Sequence, residues 1–283
     1  MPFVSRKKLA LEVKLKSMSR EFRERSKIDD AIQCHYDLLL KQYLTNPLYF
    51  KTLFKANRFI VGSAILGIYY TRSGSTFKDI KRFCIGNDLF SSNSLDSFLL
   101  FLRVGGRLEV YRDAKDKRKL NYKPTTKALA ETRRMINTML LPCAMLIDDF
   151  DLNFYQKHPN FVPEFFRTYS EITLNRLFLH DLVPGSGEFL SRDGGHMIMF
   201  NIYLESIKQK SPIIHYNILK AAFFCGVSRS HIRRCLQAAE QVNLLKIQDE
   251  SQQLALSQEF IDMVKDYFCI YLATVEHGLS GMR

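Results

Sequence analysis

The chain has 283 residues, 46% of them apolar, which excludes a disordered or fibrous chain and leaves room for two domains with cores of their own. Lys and Arg number 41 against 29 Asp and Glu, and the resulting charge of +12 favours a polyanionic partner. Six cysteines, Cys34, Cys84, Cys143, Cys225, Cys235 and Cys269, form no CxxC pair and match no His spacing, so they read as buried thiols rather than metal ligands.

Residues 1–26 are a basic N-terminal arm. Residues 1–27 hold nine Lys or Arg against three Glu, a surplus of six and half the total charge. The arm suits a phosphate-contacting tail, a helix on a membrane surface, or a solvated helix packing a stripe of Val4, Leu11, Leu15 and Met18. It lacks the apolar stretch of a signal peptide, and the longest apolar run, Phe59 to Tyr70, is too short for a span of about 20 residues. A cytoplasmic protein with no membrane partner is therefore expected.

Residues 27–147 form the first expected domain. A helix is predicted from Lys27 to Leu44, then a helix-turn-helix built from Phe59 to Arg72, Thr76 to Cys84 and Ser92 to Val104, closed by Gly105 and Gly106. Leu108 to Arg112 and Leu120 to Tyr122 alternate apolar and polar residues around the charged tip DAKDKRK, the pattern of a β-wing. Pro124 and Thr125 start a long helix reaching Leu146. Residues 148–160 read as a linker, in which Asp148, Asp149 and Asp151 offer only weak support for a metal.

Residues 161–283 form the second expected domain, opening with a helix from Val162 to Leu182. The glycines of residues 183–196 lack the lysine and spacing of a phosphate-binding loop and read as turns. From Asn217 to Ile247 comes a second helix-turn-helix and strand: Ala222 is the small residue at the crossing, Gly226 the turn and Ser228 the cap. Ile232, Cys235, Leu236 and Ala239 recur at helical spacing on an inward face, leaving Ser230, Arg233, Arg234 and Gln237 outward. A terminal helix carries the stripe Ile261, Val264, Phe268 and Leu272.

The two halves echo each other. Ser91, Leu95, Leu99, Leu108 and Val110 match Ser228, Ile232, Leu236, Leu245 and Ile247 at a constant offset of 137 residues, across a helix, a turn and a strand. The expected fold is therefore mainly α with small β-wings: tandem winged helix-turn-helix domains linked by long helices.

Asp116, Arg118, Leu120, Tyr122 and Thr125 in DKRKLNYKPTTKALAE resemble the wing and helix entry of MarR-type winged-helix regulators. The chain departs from that pattern at Ala128, where the family usually has glycine, and the second wing, KIQDESQQLALS, lacks the Asp and Arg pair. The resemblance covers residues 59–147 and, at the level of architecture, 197–275. It implies outer helices that interlock, making a monomeric pseudo-dimer or a homodimer, and a small aromatic effector held between outer helices and winged domain. Phe154, Tyr155, Phe161, Phe165, Phe166 and Tyr169 could line such a pocket, although at helical spacing these residues also suit a core.

The expected partner is double-stranded DNA, contacted by two unequal heads. The first helix offers Ser92, Asn93, Ser94 and Ser97 but turns apolar at Leu100 and Phe101, while its wing carries Arg112, Lys115, Lys117, Arg118 and Lys119, with Arg118 suited to the minor groove. The second reverses this balance: Ser228, Arg229, Ser230, Arg233, Arg234 and Gln237 arm the helix, whereas Asp249 and Glu250 sit at the wing tip. Together these features predict a sequence-specific transcriptional regulator, with no enzymatic activity and no cofactor. The alternatives are a plasmid-type replication initiator on origin repeats and a protein-interaction module. His231 and Arg234 with a distant Tyr267 or Tyr271 match only part of a tyrosine-recombinase site.

Overall fold

Among the described residues, seven helices begin where a polar side chain caps them, Asn46 and Asp151 included. Ser91, Thr125, Asn217, Ser228 and Ser257 each hold extended backbone and accept a hydrogen bond from the amide three residues on. A further start, at Thr76, is a reciprocal capping box with Asp79. The computed structural model describes residues 6–248 and 253–283.

In the first half, α1 (Arg6–Arg23), α2 (Ile28–Thr45) and α3 (Pro47–Leu53) precede α4 (Ala56–Thr71), α5 (Phe77–Ile85) and α6 (Ser92–Val104). Strands β1 (Leu108–Arg112) and β2 (Leu120–Pro124) pair antiparallel, Val110 opposite Tyr122, and lead into α7 (Thr126–Leu146). The second half runs α8 (Leu152–Lys157), α9 (Phe161–Leu174), α10 (Leu179–Leu182), α11 (Gly187–Leu190) and α12 (Gly195–Gln209). It continues with β3 (Ile213–His215), α13 (Ile218–Phe224), α14 (Arg229–Gln241), β4 (Leu245–Gln248), β5 (Gln253–Leu256) and α15 (Gln258–Ser280). The protein is thus mainly helical, with small antiparallel sheets.

The offset of 137 residues carries α6 onto α14 end to end. Both helices stop in the same way. At the end of α6, Gly106 takes φ 69° and the amides of Gly106 and Arg107 bond back to Arg103 and Leu102. At the end of α14, Asn243 takes φ 59° and the amides of Asn243 and Leu244 bond to Glu240 and Ala239. Thr76, which bridges Asn121 beside β2, stands 137 residues before Ile213, which pairs with Ala255 of β5.

Several features differ from the sequence expectation, among them α11 and the start of α12 within residues 183–196, which read as turns in the sequence. The helix predicted from Val162 to Leu182 ends at Leu174: Asn175 donates its side-chain amide to Glu171 O at 2.7 Å, and Arg176 enters the left-handed region at φ 61°. Helix α3 and strand β3 were not anticipated, because neither is long enough to show a period. Residues 148–160, expected as a linker, contain α8, whose buried Tyr155 stacks on Phe150 and accepts a hydrogen bond from Arg283 Nε at 2.7 Å.

One apolar core runs through both halves, and the leading helices pack crosswise. Helix α9 lies on α4 and α15, while α2 lies on α7 and α12. Close approach makes glycine necessary at Gly67, where a Cβ would stand 2.9 Å from Ser170 Cβ. The basic arm lies along α15, burying Leu11, Leu15 and Phe22, and Arg23 bonds Asp262 at 2.6 Å and Asp266 at 3.2 Å.

Candidate nucleic-acid interface

Helix α14 separates its two faces cleanly. Ile232, Cys235, Leu236 and Ala239 are buried, and Arg229, Ser230, Arg233, Arg234 and Gln237 are exposed. Ser228 accepts the His231 amide at 3.2 Å and its hydroxyl lies 3.0 Å from that of Ser230, so both serines are fixed in the first turn. Gly226, at φ 64°, makes the turn that brings α13 across α14. Burial pushes the Cys235 thiol up to about 11, which suits packing rather than reactivity.

On α6, Ser92, Asn93, Ser94 and Ser97 are exposed, but part of their hydrogen-bonding capacity is used locally. Ser91 Oγ donates to Ser94 Oγ at 2.9 Å, and Ser97 Oγ donates to Asn93 O at 2.9 Å. Asp96 pairs with Lys81 at 2.6 Å. Farther along, Leu100 and Val104 stand in solvent on the same face as Arg103.

The first wing is ordered by two aspartates. Asp113 accepts the amides of Lys115 at 2.9 Å and Asp116 at 3.0 Å and the Asn121 side chain at 2.9 Å; these bonds, that of Asn121 first, hold its carboxyl below the usual range. Asp116 in turn accepts Arg118 N at 3.1 Å and Nε at 3.3 Å, aiming a guanidinium whose side chain is 92% exposed. Lys115, Lys117 and Lys119 are exposed around it, whereas Arg112 folds back onto Lys117 O at 3.1 Å. The acidic tip of the second wing, Asp249 and Glu250, lies outside the described residues.

Two ion pairs that sequence reasoning missed connect these parts. Arg107, at the foot of β1, makes a buried fork with Glu131 of α7, at 2.6 Å and 2.8 Å, and its guanidinium lies 3.5 Å over the Tyr49 ring. Arg58 stands 6.0 Å over Phe98 of α6 and 3.5 Å from Asp193. Asp193 flanks His231 of α14, whose pKa burial lowers despite that carboxylate. Helix α3 also lies between the heads: Tyr49 stacks on Phe101 at 6.4 Å, and a Cβ on Gly226 would meet Pro47 at 3.3 Å. Both pairs join residues distant in sequence, where local pattern gives no signal.

The remaining expected sites have structural partners. Tyr267 and Tyr271 are buried on α15, and the Tyr267 hydroxyl lies 3.0 Å from His196 Nδ1. Asp148 pairs with Arg25 at 2.9 Å and Asp151 caps α8. Of the aromatic residues expected to line a pocket, Tyr169 borders a narrow cavity with Phe59, Phe178, His196, Tyr267 and Tyr271, while Phe161, Phe165 and Phe166 are in the core. Among the described residues no helix is long and apolar enough to cross a membrane. No family model, curated protein or solved structure matches the chain.

Proposed function

We propose that the protein is a cytoplasmic, sequence-specific double-stranded-DNA-binding regulator of transcription, built as tandem winged helix-turn-helix units and similar in plan to the MarR-type regulators. The observation that carries this reading is the exposed face of α14, where Arg229, Ser230, Arg233, Arg234 and Gln237 share one side of a capped helix that buries its other side. A helix so armed fits the B-DNA major groove, with arginine suited to guanine and glutamine to adenine. The preordered first wing supplies backbone contacts and one projecting arginine.

The two units are read as a covalent pseudo-dimer, supported by the crosswise packing of α2 and α9. Binding to origin repeats as a replication initiator would use the same surfaces. The exposed Leu100 and Val104 favour a protein contact for part of α6. The aromatic cavity beside α15 is where a small aromatic effector would fit.

Selection of bound fragments from random duplexes tests the reading. Enrichment of one motif, with affinity falling steeply as salt rises, is expected; no motif and no salt dependence would overturn it.

A further inference from the structure

The end of α2, the start of α3 and helix α13 meet at one corner of the molecule. Besides the approach of Pro47 to Gly226, α2 packs against α13, and Leu40 and Phe224 border the same shallow groove. Leu44 stands one turn beyond Leu40, and Leu48 follows directly on Pro47. Four apolar side chains of the elements that meet here are exposed: Leu44 is 52% exposed, Leu48 62%, Leu219 66% and Phe223 71%. Single exposed apolar residues are ordinary, but a cluster of them marks a contact surface.

Lysines accompany these tips at helical spacing. Lys41 lies three residues before Leu44, Lys51 three after Leu48, and Lys220 three before Phe223, so each shares a helix face with its apolar neighbour. None of the three lysines pairs with a carboxylate among the described residues. The sequence from residue 38 to 78 and from 206 to 239 contains no Asp or Glu at all. Asp37 and Glu205 border the groove together with Lys220 and accept hydrogen bonds from Gln33 and Gln209, while the Lys220 ammonium lies 5.8 Å over the Phe224 ring.

We propose that this corner docks on an anionic lipid surface, with Leu44, Leu48 and Phe223 entering the headgroup boundary and Lys41, Lys51 and Lys220 meeting lipid phosphates and carboxylates. Tips that each expose more than half their area stand out from the protein instead of lining a channel, so they suit a soft apolar layer better than the ridge of a partner helix. Lysine suits the rim because its flexible stem lies along apolar surface while the ammonium stays at headgroup level. The proposal does not depend on the DNA-binding reading, and it replaces the expectation from sequence that no membrane partner takes part.

The test is co-sedimentation of the full chain with phosphatidylcholine vesicles, with and without a one-third share of phosphatidylserine. Pelleting only with the anionic vesicles, weakened by salt, is expected. Leu48→Ser combined with Phe223→Ser should lower vesicle affinity at least roughly tenfold, and Lys51→Gln roughly fivefold. Circular dichroism should show both variants folded, since the altered side chains are exposed or half-buried. No pelleting on anionic vesicles would overturn the proposal in favour of an acidic protein partner. Variants that lose duplex binding but keep vesicle binding would overturn it in favour of nucleic acid.

Discussion

At the scale of single residues, buried charge and buried imidazole carry the sharpest expectations. Arg107 and Glu131 are both nearly excluded from water and satisfy each other through two bonds. Removing one partner, as in Glu131→Gln, leaves a buried charge uncompensated and should cost about 3–5 kcal/mol in urea unfolding. Arg107→Met with Glu131→Leu should recover most of that loss; a single-variant loss near zero would show that the fork is solvated. His35, fully buried, has its pKa lowered to about 4 by desolvation, against the opposing hydrogen bond that its Nδ1 makes to Thr138 O. Its folded-state pKa lies below the ordinary 6.5, so its contribution is complete above that pH and is lost as pH falls from 6.5 towards 4. His35 alone should remove up to about 1.4 kcal/mol of stability per pH unit in that window, a contribution to the slope of about one proton that His35→Leu should abolish. Urea midpoints measured across the window check this, and equal slopes in the two proteins would refute it.

At the scale of elements, caps and stops decide where the heads begin and end. Ser91, Gly105 and Gly106 mark α6 to the residue, and alternation around DAKDKRK marks β1 and the start of β2, so these were legible in the sequence. Helix α3, strand β3 and the break after Leu174 were not, since the first two are too short to show a period and the third depends on a left-handed Arg176 that composition does not announce. The equivalence of Gly106 and Asn243 gives a direct test: both occupy the left-handed stop, which glycine adopts with less strain. Asn243→Gly should raise stability by about 0.5 kcal/mol, measured by thermal unfolding. Ser228→Ala, which removes the cap of α14, should cost about 1 kcal/mol and weaken duplex binding with it. Loss of stability without loss of binding would mean that the start of α14 is not at the DNA.

At the scale of the whole molecule, the repeat and the outward face of α14 could be read from the sequence, because both rest on local spacing. The links between the halves could not. Arg58 to Asp193, Pro47 to Gly226 and the contact of α9 with α4 join residues more than a hundred positions apart, and only the fold brings them together. These links hold α6 and α14 in one frame, so both helices are expected to engage a single duplex at once. The most direct measurement is a salt titration of duplex affinity for the full chain, Arg118→Ala, Arg233→Ala and the double variant. Each single variant should weaken binding and lower the salt slope by about one, and the double variant by about two. Unchanged affinity and slope in both single variants would contradict DNA binding through the first wing and α14.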